Sequence, residues 1–190
     1  MKRLSTRLAT AGIAAGLVIG GASIASAGHL NPLLEADLSG RNEVASNAKS
    51  NKIVGDPNGR GEGYVFGIDN DDLGADGTVD NTDTLCYIVI VDGISELGSN
   101  PGNGRAAHIH RGAKGENGPV VANLAFPTDG QAADCLSENE VGKFTADAGP
   151  GIVQDILANP EGYYFNVHNN EYPGGAVRGQ LEEQGHHHDH

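Results

Sequence analysis

Residues 84–91, TLCYIVIV, are apolar on both faces of an extended chain: Leu85, Tyr87, Val89 and Val91 alternate with Cys86, Ile88 and Ile90. A strand of this kind needs cover on both sides, which places it in the middle of a sandwich or barrel. Other short apolar or alternating runs, each bounded by Gly, Asn, Asp or Pro, predict strands near 34–39, 62–68, 105–110, 119–126, 162–168 and 176–181. Helical periodicity is scarce. The spacing predicts one helix over 151–159, where Ile152, Val153, Ile156 and Leu157 form a stripe between Pro150 and Pro160. A weaker helical signal lies at 137–146.

Seven short strands with one or two small helices predict an all-β fold, a single-domain antiparallel β-sandwich of immunoglobulin-like or superoxide-dismutase-like form. The domain is expected over 28–185. Before it, a basic start (Lys2, Arg3, Arg7) leads into a small, apolar run at 8–25 and a small-x-small site at Ala25-Ser26-Ala27. This is the pattern of a signal peptide over 1–27, too Gly-rich and marginal for a membrane span. No later run is long and apolar enough to cross a bilayer, so the expectation is a secreted, extracytoplasmic protein. After the domain, HHHDH at 186–190 forms a histidine-rich tail, and the interrupting Asp189 argues against an expression tag.

The leader holds three of the twelve Lys and Arg and none of the twenty-five Asp and Glu, so the chain beyond it carries −16 with histidine neutral. That excess repels phosphate backbones and anionic lipid and makes nucleic acid a poor partner. It suits solubility, cations or a basic protein surface. The two cysteines, Cys86 and Cys135, stand 49 positions apart. In an exported chain they are expected to form a disulfide, and two cysteines are too few for a cysteine-based zinc site.

The stretch GIDNDDLGADGTVDNTD at 67–83 is an acidic insertion between two expected strands. Asp69, Asp71, Gly74 and Asp80 match positions 1, 3, 6 and 12 of a calcium-loop template. Leu73 stands where an oxygen ligand is wanted and no helices flank the loop, so it fails as an EF-hand. A looser Ca²⁺ site from Asp69, Asp71, Asp76 and Asp80 competes with a plain hairpin tip, which this turn-forming composition also favours.

At AAHIHRGAKGENGPVVANL (106–124) and YYFNVHNNEYPGGAVRGQL (163–181) the chain resembles the chordin-type domain, the CHRD family. The family pattern has an alanine-led His-x-His followed by glycines and Pro-Val. It ends in a Tyr-x-Asn-Val-His stretch, a Pro-Gly-Gly turn and Arg-Gly-Gln-Leu. LSGRNEV (Leu38 to Val44) matches its earlier Leu-x-Gly-x-x-Glu-Val. The resemblance spans roughly 36–182; the acidic insertion, the cysteine pair and the histidine tail depart from it. It implies a secreted β domain of the stand-alone kind found in bacterial members, whose activity is not settled. In chordin such domains belong to an extracellular antagonist of bone morphogenetic proteins, which implies an extracellular protein or cell-surface component as partner.

Along a strand over 105–110, His108 and His110 point to one side and Ala107 and Ile109 to the other. In YYFNVH, Phe165 and Val167 share one face while Tyr164, Asn166 and His168 share the opposite one. If the two strands are neighbours, three imidazoles converge, and neutral imidazole suits Cu²⁺ and Zn²⁺. The His-x-His is similar to that of Cu/Zn superoxide dismutase in motif only, since the bridging histidine and remaining ligand spacings are missing. The competing reading is structural, with each ring hydrogen-bonded to a backbone carbonyl or acid to fix a loop. A metal-dependent enzyme acting on superoxide is the third reading. No Gly-x-Ser-x-Gly or Cys/His arrangement for nucleophilic attack is visible, so a binding role is expected over a catalytic one.

Arg178, within the strand-like AVRGQL, is expected to pair with a carboxylate, Glu43, and so clasp the two ends of the domain. Its alternative is a solvated surface arginine. At the chain ends, His186, His187, His188 and His190 resemble a metal-buffering tract. Cleavage after Ala27 would expose Gly28-His29, whose amine, amide and imidazole chelate Cu²⁺. Either end serves equally as a solvated terminus.

Overall fold

The computed structural model describes residues 32–45, 53–68, 84–94, 106–138 and 140–184. The expected signal peptide over 1–27, the Gly28-His29 site, the acidic loop with Asp69, Asp71, Asp76 and Asp80, and the tail histidines His186, His187, His188 and His190 lie outside the described residues.

Among the described residues nine strands form one antiparallel sheet: β1 (Leu34–Ser39), β2 (Arg60–Ile68), β3 (Thr84–Asp92), β4 (Ala107–Arg111), β5 (Val120–Leu124), β6 (Gln131–Ser137), β7 (Tyr163–Val167), β8 (Val177–Gln180) and β9 (Glu182–Glu183). Their order is β5-β4-β7-β8-β1-β2-β3-β6, with β9 paired to β1. The sheet folds over itself into a nearly closed barrel or sandwich. One contact shows how its far ends meet: the Ala125 amide, just past β5, donates to the Tyr87 hydroxyl of β3 at 2.6 Å.

All seven expected strands are present with small shifts at their ends, and the antiparallel all-β fold is as expected. The helix α1 (Ile152–Ala158) buries Ile152, Val153, Ile156 and Leu157, the stripe visible in the sequence. Gly151 precedes it in a left-handed conformation and offers no side-chain cap. The Glu138 carboxylate takes that role from a distance, accepting from the Gly151 and Val153 amides at 3.1 and 2.9 Å.

The sequence expectations need two corrections. No described residue of the region 137–146 is helical. Ser137 ends β6, residues 141–143 form a turn, and Phe144 bridges to Ala122 of β5. The strand β3 is covered fully on one side only. Leu85, Tyr87, Val89 and Val91 are buried, whereas Ile88 and Ile90 on the other face are 41% and 44% exposed. Cys86 on that outer face is buried beside Cys135, its register partner on β6, with the sulfurs at disulfide distance.

The inward faces of β1, β3, β4, β7 and β8 contribute Leu34, Leu38, Leu85, Val89, Ile109, Phe165, Val167 and Val177 to a single core with α1. Burying large side chains on this face stabilises the fold by roughly 1.5–3 kcal/mol each, before ordering costs. The opposite face of β4, β7 and β8 is polar, and the candidate site lies there.

Candidate metal centre

Alternation along β4 drives Ala107 and Ile109 into the core and leaves His108 and His110 on the polar face. The neighbouring strand β7 runs antiparallel to β4, with Asn166 opposite His108 and Tyr164 opposite His110. His168 follows β7 directly, and its amide donates to the Ala106 carbonyl at 2.7 Å, which holds it beside the start of β4. The two histidine motifs, far apart in sequence, thus meet across one strand pair.

The three rings form a triangle. Ring centroids are 5.6 Å apart for His108–His110, 5.2 Å for His108–His168 and 6.2 Å for His110–His168. Three imidazoles bonded tetrahedrally to one ion at about 2.0–2.1 Å place their centroids roughly 5 Å apart. One ring nitrogen from each lies within 4.8 Å of the other two. A shared ion would draw those nitrogens to roughly 3.3 Å from one another, a closure of up to about 1.5 Å that rotation of the side chains has to supply.

Two rings have their tautomer set by the backbone. His110 donates from Nδ1 to the Gly118 carbonyl at 2.9 Å, and His168 from Nδ1 to the Pro173 carbonyl at 3.1 Å. A neutral ring that donates at Nδ1 carries its lone pair at Nε2. Both Nε2 atoms are buried and have no hydrogen-bond partner among the described residues. Burial pushes the His110 imidazolium down to about 4, against the Gly118 bond, with His168 and Arg178 adding repulsion. His168 is lowered by burial as well, against its Pro173 bond. Both rings are therefore neutral at pH 7 and able to bind a cation. They face a pocket of about 390 Å³ that Val44, Val54, Asn166, Gly174 and Gly175 also line.

A family model for the CHRD domain matches residues 34–181. The chain belongs to the CHRD domain family. No curated protein and no solved structure matches it. Both histidine motifs and the LSGRNEV segment fall within the matched span.

In this CHRD domain Arg178, on β8, is 2% exposed and lies beside the histidine pocket. Its guanidinium carbon is 3.4 Å from the centre of the Tyr164 ring, and Tyr164 stacks on His110 at 4.8 Å with 12° between planes. Its nitrogens donate to the Asn117 side chain at 3.2 Å and to the Ala113 and Glu116 carbonyls at 3.2 and 2.6 Å. Gln180, also on β8, donates to the Gly112 carbonyl at 3.1 Å. Together these bonds hold the loop 112–118 over the polar face, and the loop's last carbonyl is the one that binds His110.

Glu43 is not among the ion-pair partners of Arg178 in the described residues; their attraction acts at longer range. Its carboxyl packs against Gly175 and takes a hydrogen bond from Asn166. Burial pushes it up to about 8, against the lowering influence of Arg178 and Asn166. The sequence reading placed Tyr164 and Asn166 on the same face as His168 but gave neither a role. Period-two alternation carried that signal; the carbonyls of Gly118 and Pro173 had none, because backbone acceptors leave no mark in side-chain identity.

Proposed function

We propose that this CHRD protein is an extracytoplasmic binding protein that holds a divalent transition-metal ion, Cu²⁺ or Zn²⁺, on His108, His110 and His168. The observation that carries the reading is the pair of buried Nε2 atoms left open by Nδ1 bonds to Gly118 and Pro173. Metal-binding histidines are oriented in this way by a second group on the far nitrogen. Imidazole is a borderline donor that suits copper and zinc, and among the described residues the pocket lining supplies no sulfur for Cu⁺ and no carboxylate for Ca²⁺. The leader-like start and the disulfide-forming cysteine pair support export.

Calorimetric titration of the protein with its tail histidines replaced by Asn tests this reading. The expected result is stoichiometric Zn²⁺ or Cu²⁺ binding that His108→Ala abolishes. Equal heats for parent and variant would end it. The second reading is an extracellular interaction module with structural histidines. It is favoured by the same Gly118 and Pro173 bonds, which tie a loop and a turn to the sheet without needing an ion.

A further inference from the structure

We propose that Asn166 is the fourth arm of the three-histidine site, its amide oxygen serving as the ion's oxygen ligand; this rests on the metal reading above. Four observations meet at this residue. Asn166 is 4% exposed although it is polar. Its Oδ1 is buried and has no hydrogen-bond partner among the described residues, an arrangement that costs free energy unless something binds there. It is the direct register partner of His108, and side chains opposite each other on one face of an antiparallel pair are nearest neighbours. It lines the same pocket as His110 and His168.

The amide also has a fixed orientation. Its NH₂ end is engaged by the Glu43 carboxyl group, which turns the oxygen end away from Glu43. Glu43 is itself immobilised against Gly175 and Gly55, where its carboxyl and Cγ fill the space a side chain would need. The chain of contacts Glu43–Asn166–ion does for the oxygen ligand what Gly118 and Pro173 do for the two rings: each donor group is held from behind by a second group.

Three imidazoles and an amide make a neutral N₃O set. Hard cations such as Ca²⁺ and Mg²⁺ bind through several oxygens, most of them anionic, so this set selects a borderline divalent ion. It also puts the oxygen ligand on β7, opposite His108 of β4, in a pocket that Val44 and Val54 line as well.

The test uses Co²⁺, whose visible absorption reports ligand number and type, on the full chain with tail histidines 186, 187, 188 and 190 replaced by Asn. The signal of His108→Ala is subtracted to remove uptake at the chain ends. Asn166→Ala is expected to weaken Co²⁺ binding at least tenfold and shift the band, as one neutral ligand is lost. Asn166→Asp, which preserves shape and supplies an anionic oxygen, is expected to bind at least tenfold more tightly. Its unfolding midpoint checks that the fold is intact. If the parent binds Co²⁺ through His108 while both Asn166 variants bind with the parent's affinity and spectrum, Asn166 is no ligand and the metal reading stands without it. If the parent shows no His108-dependent uptake, both readings fall.

Discussion

The Arg178 guanidinium lies 3.4 Å from the centre of the Tyr164 ring. The arginine comes from β8 and the tyrosine from β7, while His110, on the other neighbour β4, stacks on the same ring. A cation over an aromatic face is worth about 0.5–2 kcal/mol, more where water is excluded. Arg178 adds its three hydrogen bonds to the loop 112–118, so one residue ties together three strands and the loop over them.

Arg178→Ala is therefore expected to destabilise the protein by roughly 2–4 kcal/mol, because three loop acceptors lose their donor and the ring loses its cation. Arg178→Lys should recover only part of this, since a compact ammonium lacks the planar fork that lies on the Tyr164 ring while reaching two carbonyls and an amide. Urea unfolding of the three proteins checks it. An unchanged midpoint in the Ala variant would show that the loop docks without the arginine.

Glu43 sets the pH dependence in the alkaline direction. Its folded-state pKa of about 8 stands above the ordinary value of 4.5, with burial as the main cause. Between those values the folded protein keeps a proton that the unfolded chain has released, so stability falls as pH rises from about 4.5 to 8. The contribution is up to roughly 5 kcal/mol. Glu43→Gln keeps an acceptor for Asn166 and removes the titration. The variant is expected to match the parent near pH 5 and to exceed it by roughly 2–5 kcal/mol at pH 8. Parallel stability–pH curves for the two would refute the assignment.

The disulfide has its consequence at the weakest strand. β6 reads QAADCLS, without period-two alternation and with five residues that are exposed or partly so before Leu136. No pattern there announces a strand. It forms because β3 offers a long unpaired edge and Cys135 meets Cys86 in register. Replacing both cysteines by Ala is expected to lower stability by about 4 kcal/mol in the loop-closure model. Amide exchange over 131–137 should accelerate more than in β4 or β7. Uniform acceleration across the sheet would show that β6 is not held by the bridge.

Much of the architecture was legible because alternation and turn residues act locally. Ile109, Phe165 and Val167 had to share a core face, and the helix stripe at Ile152, Val153, Ile156 and Leu157 is a local pattern. The convergence of His108, His110 and His168 was legible only conditionally, since strand adjacency is decided by the whole sheet order. The contacts of Arg178 were not. Its charge suggested a carboxylate, but the loop carbonyls of Ala113 and Glu116 take its donors, while Glu43 is turned to Asn166. Likewise Ile88 and Ile90 read as buried from hydropathy, yet among the described residues nothing covers them fully.

The coupling between loop and site gives the sharpest test, at Gly118. A Cβ there would stand 1.7 Å from the Arg111 carbonyl oxygen and 2.9 Å from its carbon, both backbone atoms of β4 that cannot swing aside. Gly118 therefore has to be glycine for the loop to close on the strand. Its carbonyl fixes His110, and its amide donates to the Tyr164 hydroxyl at 3.2 Å. Gly118→Ala should push the loop end away, release Nδ1 of His110 and weaken Zn²⁺ or Cu²⁺ binding about ten- to a hundredfold. It should also cost roughly 1–3 kcal/mol of stability, as overpacking does. Gly115→Ala is the matched control on the same loop. That residue has φ +85° with nothing within 4 Å of an added Cβ, so the change costs about 1 kcal/mol of backbone strain and leaves the rings alone. Metal titration and urea unfolding of both variants decide the matter. If Gly115→Ala weakens metal binding as much as Gly118→Ala, or if Gly118→Ala leaves it untouched, then the loop carbonyl does not orient His110 for an ion.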